Sequence, residues 1–197
     1  MRLPRHHGFT LIELLIVVAI IAILAAIAVP NFLTAQTRAK VARAKADMRS
    51  MAAALEAYAV DWNQYPRIAV ADVTMTRVLA RLTTPTAYMA SIPDDPFGAR
   101  VPRDLLNDVP HEYRCYEYGS DVDPQVAGWL FVCDDGSGLR QRLAPNARWF
   151  LDSSGPDLRR NLDTLATFDW RVYDATNGTV SVGDIYCVGP GNLVFGG

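Results

Sequence analysis

Histidine is nearly absent from this chain beyond its first few residues. Two of the three histidines, His6 and His7, lie within the first eight residues, which leaves His111 alone in the rest of the chain. A single histidine excludes most histidine-based metal sites and Ser–His–Asp triads. The sequence also contains no HExxH, GxSxG, GxGxxG or phosphate-binding-loop motif. We therefore expect no enzymatic activity.

Cysteine is scarce as well, with Cys115, Cys133 and Cys187 and no CxxC pair, which excludes thioredoxin-like and zinc-ribbon sites. In a compartment outside the inner membrane, one disulfide with one thiol left over is expected, and three free thiols are the alternative. Cys115 lies in a predicted strand and Cys133 ends the next, so a hairpin would pair them and leave Cys187 free. The net charge of −2 argues against a general nucleic-acid binder, and we expect no specific nucleic-acid partner.

What the chain has is one long apolar run near its start. Phe9 to Val29 is 21 residues with a single charge, Glu13. About 20 apolar residues suffice for a helix to cross the ~30 Å hydrocarbon core. Arg2 and Arg5 precede the run and favour a cytoplasmic N-terminus, with the rest of the chain across the membrane.

Three interpretations of this run compete. The segment Ala26–Ala28 has the small-x-small form of a secretory cleavage site. A plain signal anchor is the second interpretation, and a prepilin cut between Gly8 and Phe9 is the third. A carboxylate at Glu13 is costly in an apolar helix, and neither of the first two gives it a task. Glu13 therefore favours a helix that later packs against other helices.

The segment Gly8–Leu15, GFTLIELL, resembles the cleavage and methylation signature of type IV pilins and type II secretion pseudopilins. Pro30 falls where pilins commonly carry a proline. The resemblance implies that a prepilin peptidase cuts after Gly8 and N-methylates Phe9. It also implies that Glu13 meets the Phe9 ammonium of a neighbouring subunit in a helical homopolymer. The inner-membrane assembly platform and other pilin-like subunits are the further partners that it implies.

The helix is expected to continue beyond the membrane, because apolar residues recur at steps of three and four. These residues are Val41, Ala44, Met48, Met51, Leu55, Tyr58 and Trp62. We predict an α+β, pilin-like fold, in which a long helix, half transmembrane and half amphipathic, packs on a small antiparallel sheet. The expected segments are the leader 1–8, a transmembrane and fibre-core helix 9–29, an amphipathic helix 30–63 and a periplasmic α+β domain 64–197.

Shorter elements are predicted along the C-terminal domain from apolar runs and turn residues. They are a helix over 72–83, strands over 112–118, 128–133, 148–152 and 184–188, and a hairpin of 172–173 with 179–181 across Asn177-Gly178.

This domain also resembles the major pseudopilin of type II secretion, more loosely. The helix end running into Tyr65-Pro66 is similar, Asp95–Gly98 resembles an Asp-Pro-Trp-Gly loop with Phe in place of Trp, and Ser154–Asp157 resembles a Ser-x-Gly-x-Asp loop. Asp184-Ile185 resembles a closing Asp-Ile pair. The resemblance to major pseudopilins implies a calcium site in a C-terminal loop. The candidate ligands here are Asp152, Ser154, Asp157 and Asp184. Carboxylates that cap turns are the alternative.

Five basic residues against one aspartate occupy the segment Arg38–Arg49. Three roles are open for it: a solvated face, contact with anionic headgroups, or contact with acidic surfaces of neighbouring subunits. The predicted function is a structural subunit of a type II secretion pseudopilus or type IV pilus-like fibre, in the inner membrane before assembly and in a periplasmic or surface fibre afterwards. The alternative is a monomeric, single-pass envelope protein with a ligand-binding C-terminal domain.

Overall fold

The computed structural model describes residues 9–67, 78–98, 116–120, 147–158, 172–191 and 193–195. Its helices are α1 (Leu11–Trp62) and two 3₁₀ turns, Ala80–Leu82 and Ala175–Asn177. Its strands are β1 (Glu117–Ser120), β2 (Trp149–Ser153), β3 (Ile185–Gly189) and β4 (Leu193–Phe195). The chain divides into two compact units, residues 1–38 and 39–197.

Helix α1 confirms the predicted long helix and runs through Pro30. It ends one residue before the predicted end, because Asn63 adopts a left-handed conformation with φ 52°. Asparagine tolerates that conformation and commonly terminates helices. In the first unit, the apolar side chains from Leu11 to Leu33 are exposed. By length and composition, α1 contains a stretch that can cross a membrane.

The second half of α1 buries the predicted apolar stripe against the sheet. Its buried residues are Val41, Ala44, Met48, Met51, Ala52, Ala54, Leu55 and Tyr58. Trp62 was expected to join them, and this prediction is wrong: the side chain is 50% exposed. Trp62 is the last helical residue, so it stacks on Tyr58 at 5.9 Å and donates a hydrogen bond to Tyr88 Oη (3.1 Å) at the edge of the core.

The four strands form an antiparallel sheet in the order β1-β2-β3-β4. The strands predicted at 148–152 and 184–188 are confirmed as β2 and β3, shifted by one residue. The strand predicted over 112–118 is observed from Glu117 onwards, and its earlier part lies outside the described residues, as does all of 128–133. Strand β4 was not predicted. Of the helix predicted over 72–83, residues 72–77 lie outside the described residues, residues 78–79 are helical and Ala80–Leu82 form a 3₁₀ turn.

The hairpin predicted across Asn177-Gly178 is wrong. The Asp174 carboxylate accepts hydrogen bonds from Thr176 N (2.8 Å) and Thr176 Oγ1 (2.7 Å), and this cap starts the 3₁₀ turn Ala175–Asn177. Gly178 ends that turn with φ 112°. The prediction of a turn at this glycine is therefore correct, but the turn ends a 3₁₀ helix and does not join two strands. Val172 instead forms an isolated parallel bridge with Asp184.

A half-buried carboxylate on α1 joins the helix to the sheet and to the chain that follows the helix. Glu56 Oε1 accepts a hydrogen bond from Trp149 Nε1 (2.9 Å), and Glu56 Oε2 accepts one from Tyr65 Oη (3.1 Å). The Trp149 indole lies over Gly189, its cross-strand partner, where an added Cβ would overlap the ring. These contacts fix where β2 and β3 lie against the last turns of α1.

Two of the segments that resemble pseudopilin motifs are joined to strands by hydrogen bonds. Pro66 O accepts hydrogen bonds from Tyr118 Oη (3.0 Å) and Ser120 Oγ (3.2 Å), which holds the Tyr65-Pro66 segment on β1. Asp95 Oδ1 accepts hydrogen bonds from Phe97 N and Ser153 Oγ, both at 2.9 Å. The first of these closes a turn, and the second attaches it to β2.

Candidate processing and assembly site

The N-terminal end of α1 carries a capping box. Thr10 Oγ1 accepts a hydrogen bond from Glu13 N (3.2 Å), while Glu13 Oε2 accepts one from Thr10 N (2.8 Å). Thr10 Oγ1 also donates to Glu13 Oε2 at 2.8 Å. This reciprocal arrangement satisfies N–H groups that a helix start otherwise leaves unpaired.

The structure therefore adds Thr10 to the residues that the sequence singled out. The signal was present, because Thr-x-x-Glu before an apolar run is the sequence pattern of a capping box. A simple anchor was expected to give Glu13 no task, and this expectation is wrong. Glu13 has a task within its own chain, since it caps the helix on which it lies.

The geometry leaves one carboxylate oxygen of Glu13 for another partner. Both hydrogen bonds from Thr10 end on Oε2, and among the described residues Oε1 accepts none. Phe9, adjacent to Thr10, is 74% exposed. Gly8 and the rest of the leader lie outside the described residues, so the cleavage position stays a prediction, as does the assembly role of Pro30.

The four candidate calcium ligands lie on β2, in the turn after it and just before β3. Asp152, the cross-strand partner of Tyr186, and Asp184 are both buried, and the Tyr186 hydroxyl donates to Asp184 Oδ2 at 3.0 Å. Burial, with these two carboxylates nearby, raises the pKa of Tyr186. Ser154 and Asp157 lie in a turn where Gly155 (φ 65°) packs directly on the Gly183 carbonyl.

Within the described ranges, no three His, Cys, Asp or Glu side chains are grouped closely enough to hold a metal ion. The described part of this region therefore contains no cluster of three carboxylates. Calcium binding through Asp152, Ser154, Asp157 and Asp184 stays a prediction, and a site of six to eight oxygens would also draw on backbone carbonyls or water.

Cys187 is a free thiol on β3 with no exposed surface. Its burial raises the pKa of the thiol to about 12. Cys115 and Cys133 lie outside the described residues, so their pairing stays a prediction.

Two family models match consecutive parts of the chain. The prokaryotic N-terminal methylation motif matches residues 3–29, which contain the capping box. The model of type II secretion system protein G matches residues 31–128, which contain the second half of α1, Tyr65-Pro66 and the Asp95 turn. The chain is also 31% identical to the type IV major pilin protein PilA of Myxococcus xanthus, over 98% of this chain and 90% of that protein.

The chain belongs to the family of type IV pilins and type II secretion pseudopilins.

Relatives from both branches of this family resemble the chain. It is 36% identical to the type II secretion system core protein G of Pseudomonas aeruginosa, over 66% of this chain and 99% of that protein. It is 28% identical to the core protein G of Escherichia coli, over 57% of this chain and 79% of that protein. No solved structure matches it significantly. The candidate calcium ligands lie beyond residue 128, where the protein G model ends.

Proposed function

We propose that this chain is a structural fibre subunit of a type II secretion pseudopilus or type IV pilus-like fibre, made as a prepilin and assembled through α1. The observation that carries the proposal is the N-terminal half of α1. Its apolar side chains are exposed along the helix, and its first turn ends in Glu13 within the matched methylation motif. A surface of this kind requires lipid or other helices around it, and a fibre subunit uses both in turn.

The membrane and the envelope fibre are the setting that this family implies. We propose a single pass through the inner membrane, with the leader 1–8 in the cytoplasm and the C-terminal domain outside it. Arg2 and Arg5 supply the positive charge that favours this orientation. A prepilin peptidase then cuts between Gly8 and Phe9, and an inner-membrane assembly platform transfers the subunit into the fibre beside other pilin-like subunits.

The pairing of subunits follows from the charges at the start of α1. Cleavage creates an ammonium at Phe9, and monomethylation leaves it positive. Glu13 Oε1 is available to accept from the Phe9 ammonium of a neighbour while Oε2 stays on Thr10. In an apolar fibre core, a charge without its partner is strongly penalised, so the pair sets the position of one subunit against the next.

Mass spectrometry of membrane-extracted protein tests the processing step. The mature chain should begin with N-methyl-Phe9 and lack residues 1–8. A chain that begins at Val29 would establish a secretory signal instead. An intact leader would indicate a plain anchor.

The substitution Glu13→Gln tests the assembly step. Glutamine also serves in a capping box, so it keeps the contact with Thr10 and removes only the charge. We expect normal insertion and cleavage with a loss of fibres, measured by shearing alongside the amount of processed protein in the membrane. Normal fibres from this variant would exclude the charge pairing. A wild-type protein that is never recovered in fibres would favour the monomeric envelope protein with a ligand-binding domain.

A further inference from the structure

The pair Asn177-Gly178, the only Asn-Gly sequence in the chain, lies at the tip of a surface loop. The loop begins and ends at Val172 and Asp184, which form a parallel bridge. Tyr173 N also donates a hydrogen bond to Asp184 O (2.9 Å), and the Tyr173 side chain is buried. The two ends of the loop are therefore joined just before β3, as in the compact surface loops that frequently carry function.

The tip of this loop is held less closely than its base. Residues 175–178 are all exposed. Below them, Ser181 Oγ donates to Asp174 O at 2.7 Å, which closes the turn. Gly178 N donates to Ala175 O at 3.3 Å, which is long for an N–H···O hydrogen bond. The nitrogen of Gly178 is therefore only weakly held, and it lies next to an exposed asparagine.

The turn requires glycine at position 178, and this glycine leaves its own nitrogen open to approach. Its φ of 112° and ψ of 157° belong to a region that glycine alone adopts readily. A Cβ built on Gly178 would meet nothing within 4 Å, so the space around it is empty. With no side chain at this position, nothing shields the Gly178 nitrogen from the side-chain amide of Asn177.

We propose that Asn177 is a site of spontaneous deamidation in the folded protein. Hydroxide removes the proton from the Gly178 nitrogen, and this nitrogen then attacks Asn177 Cγ. A bond forms between these two atoms, and the bond from Cγ to Nδ2 breaks. Ammonia leaves with a proton taken from water, which restores the hydroxide. The product is a five-membered succinimide ring.

Water then opens this ring at one of its two carbonyl carbons. Breaking the bond from Gly178 N to Cγ leaves aspartate, and breaking the bond from Gly178 N to the backbone carbonyl carbon of Asn177 leaves isoaspartate. Either product adds one negative charge to a chain of net charge −2. Isoaspartate also lengthens the backbone by one carbon at the exposed tip, away from the bridge at the base of the loop. We therefore expect the sheet to survive the change.

The full chain, kept folded in detergent and incubated in mildly alkaline buffer, tests the proposal. Peptide mapping by mass spectrometry should show Asn177 converted over time, with the mass gain of an NH₂ group replaced by OH. Protein isoaspartyl methyltransferase, supplied with labelled S-adenosylmethionine, should label the same peptide. Asn63 is an internal control, because it is also exposed but is followed by Gln64, whose side chain shields the nitrogen. Asn63 should keep its amide over the same period.

Asn177→Gln is the matched variant. Glutamine keeps an amide at the tip of the loop, but ring closure from it would need six members and is much slower. Conversion at position 177 and methyl labelling of this peptide should both be lost, while the far-ultraviolet circular dichroism stays that of the wild type.

A comparison with the chain unfolded in urea shows whether the fold permits the reaction. Loss of the amide in the unfolded chain alone would mean that the native turn protects Asn177, and it would overturn the proposal. An amide that persists in both states would overturn it as well. Asn177-Gly178-Thr179 also fits an Asn-x-Thr glycosylation acceptor, so a sugar mass on Asn177 in protein isolated from cells would assign the site to that modification instead.

Discussion

At the scale of single residues, Thr10 determines how the Glu13 carboxylate is held before any neighbour arrives. Its N–H and its hydroxyl both donate to Glu13 Oε2 at 2.8 Å. This arrangement lowers the cost of keeping the carboxylate next to an apolar helix, because two donors replace water. It also orients the second oxygen of Glu13 for another partner.

Replacing Thr10 by valine keeps the shape of the side chain and removes the hydroxyl. We expect the first turn of α1 to lose ~1 kcal/mol, roughly a fivefold change in its opening equilibrium. Amide hydrogen exchange at Glu13 and Leu14, whose N–H groups donate to Thr10, measures this change in the detergent-solubilised chain. Thr10→Ser keeps the hydroxyl and should exchange as the wild type does. Equal protection in Thr10→Val and the wild type would show that the cap contributes nothing.

The three cysteines are expected to behave as a pair and a single thiol. Because burial raises the pKa of Cys187 to about 12, this thiol should resist alkylation at pH 8 and react only after denaturation. Non-reducing peptide mapping of the same samples should link Cys115 to Cys133. A peptide that joins Cys187 to either of them, or rapid labelling in the native state, would contradict this assignment.

At the scale of elements, the order of helices and strands could be predicted from local sequence patterns. The contacts that join these elements could not. The apolar periodicity over 41–58 and the Thr-x-x-Glu pattern of the capping box both involve residues that are close together in the sequence. The contact of Trp149 with Gly189 depends on strand register, which no short segment specifies. Asn177-Gly178 was misassigned for a different, local reason, because the Asp174 side chain caps a 3₁₀ turn over Ala175–Asn177 where the hairpin was predicted.

The substitution Trp149→Phe tests the hydrogen bond that joins β2 to Glu56 on α1. This change removes the indole N–H from Glu56 and leaves a half-buried carboxylate oxygen without that donor. We expect a loss of about 1–3 kcal/mol in the free energy of unfolding, measured by urea denaturation of the full chain in detergent. Glu56→Gln keeps an acceptor for the indole and should cost less. A larger loss in Glu56→Gln than in Trp149→Phe would contradict this account.

The hydroxyl of Tyr65 makes the free energy of unfolding depend on pH in the alkaline range. Burial, with the Glu56 carboxylate beside it, raises the pKa of Tyr65 to about 12 from its usual 10.0. The folded chain holds this proton more tightly than the unfolded chain. Its contribution to stability is therefore complete below pH 10 and falls as the pH rises towards 12. Denaturation midpoints measured across that range should fall less steeply in Tyr65→Phe, and identical slopes would contradict the assignment.

At the scale of the whole molecule, the calcium prediction concerns the stability of the folded chain. A ligand that binds only the folded state raises the free energy of unfolding by RT ln(1 + [L]/Kd). If Asp152, Ser154, Asp157 and Asp184 contribute to a site, calcium should raise the thermal midpoint, and a chelator should reverse the effect. Asp157→Asn should reduce the response. An unchanged midpoint at millimolar calcium would favour carboxylates that cap turns.

The exposed apolar side chains from Leu11 to Leu33 have a thermodynamic consequence for fibre growth. When a subunit leaves the bilayer and enters the fibre, these side chains exchange contacts with lipid tails for contacts with other helices. The apolar surface area exposed to water therefore changes little. The hydrophobic effect therefore nearly cancels for this segment, and its transfer should have a heat-capacity change near zero. The bilayer then holds a pool of unassembled subunits. Polar contacts, together with an external energy input, determine whether subunits enter the fibre or return to the bilayer.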